Sequence, residues 1–173
     1  RDEAVPESKR AAIKVIKRSA DHLSGLIDGL LDISKIESGT MTIDQEPLDL
    51  TEMTRDCLAL MTLRAEAGGI DLERVAGPDL PLVQGDRRAL KQVVINLLSN
   101  AVKFTDAGAI HLSAAPAPDH IDGIVLQVTD TGIGISAEDQ TRLFQAFEQS
   151  DNSMTRKYGG TGLGLAVSKR RVP

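Results

Sequence analysis

Asn96, Asn100 and Lys103 stand four and three residues apart, a spacing that brings two carboxamides and an ammonium onto one face of a helix. A neutral oxygen ligand beside a cation suits a metal-bound polyphosphate. Two glycine-rich loops follow, Asp130-Thr131-Gly132-Ile133-Gly134 and Gly159-Gly160-Thr161-Gly162-Leu163-Gly164. There the missing Cβ atoms let backbone amides approach a ligand closely. A polar triple on an amphipathic helix is more often a wet face than a site, and either glycine loop alone could be a turn or a helix stop. Taken in order, the three elements describe a nucleotide pocket.

The elements that must position these residues follow from periodicity. Ile13, Ile16, Ala20, Leu23, Ile27 and Leu30 alternate in steps of three and four, predicting one long helix from about Glu7 to Glu37 with a bundle seam. Asp21, Asp28 and Asp32 form its wet side, and Ser38-Gly39 ends it. Met41-Thr42-Ile43 reads as a short strand, and Asp49 or Thr51 caps a helix to about Ala67, stopped by Gly68-Gly69. Strands are expected at Ile70 to Val75 and near Val83. Asp86 caps the helix carrying the amide cluster, whose core side is Val93, Val94, Leu97, Leu98 and Val102. Two more strands, Ala109 to Ala114 and Ile121 to Thr129, deliver Asp130 to a loop. Ser136 then caps a helix through Phe147, with Phe144 and Phe147 expected in the core. Gln149 to Gly160 has the composition of a lid, and a last helix starts near Gly162. The fold class expected is α+β, a two-layer sandwich of mixed, mostly antiparallel strands under helices, preceded by one bundle helix.

Composition narrows the function. The 173 residues are 41% apolar and 26% charged, with net charge −5, which is ordinary globular composition. Three Phe, one Tyr and no Trp supply no stacking platform, and the acidic balance argues against nucleic acid. The lone Cys57 reads as a small core residue, which leaves no disulfide framework. No apolar run is long enough for a membrane span, so no membrane contact and a cytoplasmic setting are expected, though the parent protein could be membrane-anchored.

The motifs resemble the sensor histidine kinases of two-component signalling, within the superfamily that also holds gyrase, Hsp90 and MutL. Residues 21–39 look like the second helix of a dimerisation and phosphotransfer hairpin, Asn96 to Thr105 the N box, Asp130 to Ile135 the first glycine box, Phe144 to Phe147 the F box, and Gly160 to Gly164 the second glycine box. The resemblance implies a Bergerat-type ATP-binding domain over 40–173, incomplete at its C-terminal end, after a partial phosphotransfer helix over 1–39. It also implies ATP and Mg²⁺ as cofactors. Asn100 would bind Mg²⁺, Lys103 a phosphate, Asp130 the adenine amino group, and Phe104 would pack near the base. Arg156 or Lys157 would steady the γ-phosphate. Gly132, Gly134, Gly160, Thr161, Gly162, Leu163 and Gly164 would cradle the phosphates. The implied reaction is transfer of the γ-phosphoryl to a histidine for relay to a response regulator receiver domain, with a homodimer formed through the bundle helices.

Asn96 bears on the kind of reaction. The ATP-hydrolysing members of the superfamily usually carry glutamate at that place, and an amide cannot take a proton at neutral pH. Transfer is thereby favoured over hydrolysis. The family's acceptor pattern, His-Glu/Asp-x-Arg-x-Pro, is absent from the sequence, and His22, His111 and His120 read as structural. The acceptor is therefore expected outside this segment, with both ends cut. An ATP-binding module or phosphotransfer scaffold without kinase activity is the alternative. Asp130-Thr131-Gly132 also fits an aspartic protease signature, but that would require an all-β chain against the helical periodicities.

Overall fold

The computed structural model describes residues 7–38, 42–75, 80–118, 123–145 and 164–171. The chain opens with helix α1 (Glu7–Glu37), as the three-and-four spacing predicts. Its seam is uncovered: Ile13, Ile16, Leu23, Ile27 and Leu30 are all at least half exposed.

The strand expected at 41–43 is displaced. Met41 lies outside the described residues, Thr42 to Gln45 are irregular, and β1 is Glu46–Leu48. A strand needs a partner, and β1 finds one in β3 (Val83–Gly85), antiparallel with Leu48 opposite Val83. Leu48 is fully buried there. Between them run α2 (Leu50–Ala67) and β2 (Ile70–Arg74). Asp49 caps α2 by accepting from the amides of Thr51 (2.8 Å) and Glu52 (3.1 Å). Gly69 leaves the helix at φ +66°, in the left-handed region that glycine adopts without strain.

Helix α3 (Arg87–Phe104) starts at Asp86, whose carboxylate accepts from the Ala89 amide at 2.9 Å. Glu52 pairs with Arg87 at 2.8 Å and Asp56 approaches Lys91 at 3.9 Å. Each partner lies one turn further along its own helix, so α2 and α3 run side by side in the same direction. Strand β4 (Gly108–Pro116) is central, with β2 parallel on one side and β5 (Ile124–Asp130) antiparallel on the other. Alternate β4 residues Ile110, Leu112 and Ala114 are buried, which is the period of two that a half-covered strand requires.

The core is the layer between this sheet and the two helices: Met53, Cys57, Met61 and Ala65 of α2, Val94, Leu98 and Ala101 of α3, and Ile70, Ile110 and Leu112 of the sheet. Burial pushes the Cys57 thiol above its ordinary pKa. The architecture is the expected mixed sandwich, which among the described residues divides into a two-stranded and a three-stranded sheet. Helices α1 to α3 are incompatible with the all-β protease fold. Among the described residues no helix is long and apolar enough to cross a membrane.

Ser136 caps α4 (Ala137–Gln140), but this helix is shorter than expected. It buries no residue, and short helices without tertiary packing do not propagate. Phe147 and the lid over 149–160 lie outside the described residues, as does the start of the second glycine box. The last helix is α5 (Gly164–Arg171), whose Ala166 and Val167 are buried. It packs on α3 and also touches α1.

Candidate nucleotide site

Helix α3 is the spine of the site. Its core stripe turns Val94, Leu98 and Ala101 inward, which leaves Asn96, Asn100 and Lys103 half-buried on a neighbouring face. The chain after β5 docks against the C-terminal end of this helix. The Ile133 amide donates to the Phe104 carbonyl at 3.2 Å. A Cβ on Gly132 would run into that carbonyl oxygen and lie 2.8 Å from Asp130 Oδ1. The close approach therefore requires glycine, as its place in the sequence motif suggested. The Gly132 amide donates to Asp130 Oδ1 at 2.9 Å, fixing the carboxylate while leaving lone pairs on both oxygens. Thr131 ties the loop to β4: its amide donates to the Ala109 carbonyl at 3.2 Å, and its Oγ1 accepts from the Ala109 amide at 3.0 Å. Gly134 takes φ +70° with open space around it.

The N-terminal end of α5 docks higher on the same helix. A Cβ on Gly164 would collide with the Asn96 carboxamide, so the end of the second glycine box lies flat against the N box. Asn96 Nδ2 donates to Ser168 Oγ at 3.1 Å, and Ser168 Oγ donates to the Gly164 carbonyl at 2.8 Å. Sequence reading passed over Ser168. The available signal was a serine four residues after Gly164, one turn along the same face of the last helix.

Burial lowers the pKa of Lys103, because its ammonium is partly stripped of water. The ammonium lies 4.5 Å from the centroid of the Phe104 ring, within cation–π range. Lys103 also lines a cavity of about 280 Å³ with Met61, Arg64, Ser99 and Val102. A larger groove of about 530 Å³ runs between α2 and α3, lined by Leu60, Met61, Ile95, Arg64, Arg88 and Lys91 among others. Among the described residues no glycine-box residue contributes to its walls.

The structure thus brings together Asn96 with Gly164, and Phe104 with Lys103 and Gly132. Asn100 lies one turn from Asn96 on α3. Arg156, Lys157, Gly160, Thr161, Gly162 and Leu163 lie outside the described residues. Phe144 corrects the expectation of a core residue: it is 49% exposed, with the Lys169 ammonium 5.1 Å from its ring centroid. Spacing of three shows that two aromatics share a face, but not that the face is covered.

Gly132 and Gly164, one from each glycine box, are therefore both seated on the helix that bears the amides. The family model of histidine kinase-, DNA gyrase B-, and HSP90-like ATPases matches residues 85–173, just over half of the chain. The chain belongs to this ATPase family. It is 44% identical to sensor histidine kinase GacS of Pseudomonas protegens, over 91% of this chain and 17% of that protein. Against the signal transduction histidine-protein kinase BarA of Escherichia coli it is 37% identical, over 95% of this chain and 18% of that one. Full-length ShkA, solved in complex with AMPPNP, superposes with a TM-score of 0.79 at 31% identity, covering 98% of this chain and 34% of that one. The chain spans less than a fifth of the length of the two curated relatives. Within the ATPase family these likenesses fall on the histidine kinase branch, as the N box and glycine boxes predicted.

Proposed function

We propose that the chain is the catalytic ATP-binding portion of a sensor histidine kinase, which transfers the γ-phosphoryl of ATP to a histidine outside this segment. Residues 40–173 are the catalytic unit in this reading, and 1–39 belong to a dimerising, phosphotransfer-type helix. The observation that carries it is the double docking on α3, with Gly132 at the Phe104 carbonyl and Gly164 at the Asn96 carboxamide. Both approaches are too close to admit any side chain at either glycine, and the kinase names of the relatives support the same reading.

Among the described residues no group of three or more His, Cys, Asp or Glu could cage a metal. The donor set instead fits Mg²⁺, which keeps most of its waters and takes few protein oxygens beside the phosphates; Asn100 would hold it through the amide oxygen. When bound, Mg²⁺ supplies neutralisation of phosphate charge. The protein's part is positioning, since phosphoryl transfer leaves little covalent chemistry to side chains. Lys103 directs its ammonium to a phosphate oxygen, and Asp130, steadied by the Gly132 amide, accepts from the adenine amino group. Phe104 flanks the base, the glycine-box amides line the phosphates, and Arg156 steadies the γ-phosphate. Asn96 cannot accept a proton at neutral pH, so no base stands there to activate water. The relay continues to a response regulator receiver domain, the parent dimerises through α1, and the site works in the cytoplasm, where ATP is held.

Incubation with labelled ATP, first alone and then with a supplied phosphotransfer hairpin, tests this. Acid-labile label should reach the hairpin and not this chain, and Lys103→Ala should slow the transfer by about ten-fold or more, the worth of one charge-assisted contact. Steady hydrolysis that vanished on Asn96→Ala but survived Lys103→Ala would overturn it.

A further inference from the structure

The geometry points to Ser168 as a positioning residue that sets which end of the Asn96 carboxamide faces the nucleotide site. A serine hydroxyl has one proton. In α5 that proton goes to the Gly164 carbonyl at 2.8 Å, so toward Asn96 the oxygen can only accept. The group 3.1 Å away on Asn96 must then be the donor, Nδ2. Hydrogen bonding in this way settles an orientation that the near-equal shapes of the amide's two ends leave open. Oδ1 is thereby turned away from Ser168 and lies against Gly164, at the end of the second glycine box, with its lone pairs as the acceptor end of the amide.

Three constraints hold the arrangement. Ser168 is only 8% exposed, so water competes poorly for its hydroxyl. Buried Ala166 and Val167 seat α5. The missing side chain at Gly164 allows the carboxamide to lie against the helix start. The chain Asn96 to Ser168 to the Gly164 carbonyl therefore ties Gly164 to the N box, so a displacement of one is felt by the other. A helix lacking a hydroxyl at 168 would leave the amide free to turn over. The nucleotide consequence rests on the function proposed above; the amide orientation does not.

The test follows the side-chain NH2 of Asn96 in ¹⁵N spectra of the ligand-free protein, assigned by its disappearance in Asn96→Asp. In the native chain one proton of the pair should exchange slowly with water. In Ser168→Ala both should exchange freely, and in Ser168→Cys, which keeps the volume with a weak acceptor, the behaviour should fall between. The second readout is Mg²⁺–ATP affinity by calorimetry. Ser168→Ala should weaken it about five-fold, the scale of one lost neutral hydrogen bond, and should have no further effect once Asn96 is already alanine. A purely structural serine would lower the melting temperature without moving the Asn96 signal. Unchanged amide exchange in Ser168→Ala, or additive losses in the double variant, would overturn the inference. Should Ser168→Ala not fold, Ser168→Cys carries both readouts. If native protein binds no nucleotide, the kinase reading falls while the amide exchange still decides the role of Ser168.

Discussion

At the residue scale, burial strips the Lys103 ammonium of water and lowers its pKa from the ordinary value. A lowered pKa in the folded state means that the unfolded chain binds more protons between the folded value and 10.5, so stability without ligand should rise with pH across that window. Burial of the charge weighs against folding at neutral pH, and a polyphosphate would offset it. Lys103→Met, which keeps the bulk without the charge, should raise the ligand-free melting temperature at pH 7 and flatten the alkaline rise. Melting curves of both proteins from neutral to alkaline pH check this; a parallel rise in the variant would contradict it. Asn96, Asn100 and Lys103 were legible in the sequence because helical spacing alone places them together. Ser168 was not, since its meaning arises only when α5 docks on α3. Phe144 was misread for a related reason: the covering of a face depends on distant chain.

At the element scale, capping chemistry was the most legible feature. Asp49, Asp86 and Ser136 each accept from backbone amides at the helix starts where sequence put them. What local chemistry could not supply was partnership, and so β1 lies at Glu46–Leu48, where β3 is available. Asp86 does more than cap, because its Oδ2 also accepts from the Asp44 amide at 3.3 Å. It thus joins the chain leaving α1 to the helix of the N box. Asp86→Ala should cost about 1–2 kcal/mol, the upper end of a cap's worth. In urea unfolding the midpoint should fall with the slope unchanged; a loss no larger than a few tenths would show that neither bond matters.

At the scale of the whole molecule, the seam of α1 exposes Ile13, Ile16, Leu23, Ile27 and Leu30 together. It is a surface on which association is expected. Leu23 and Ile27 lie one turn apart and are 58% and 50% exposed. The double substitution Leu23→Glu with Ile27→Glu should abolish concentration-dependent self-association in sedimentation while leaving nucleotide affinity unchanged. Persistent association would place the contact elsewhere. The charge pairs between α2 and α3 are exposed and add little by themselves, so the core layer between helices and sheet carries the cohesion of the sandwich.

The parallel pairing of β2 with β4 has a consequence of its own. The two strands are joined in register from Ile70 with Gly108 to Arg74 with Leu112, and α3 belongs to the connection between them. Excised, eighteen residues of helix would be barely stable in water, and neither flanking strand would have its neighbour. The candidate surface is consequently indivisible: no fragment shorter than the span from β2 through α5 holds both Gly132 and Gly164 against their shared support.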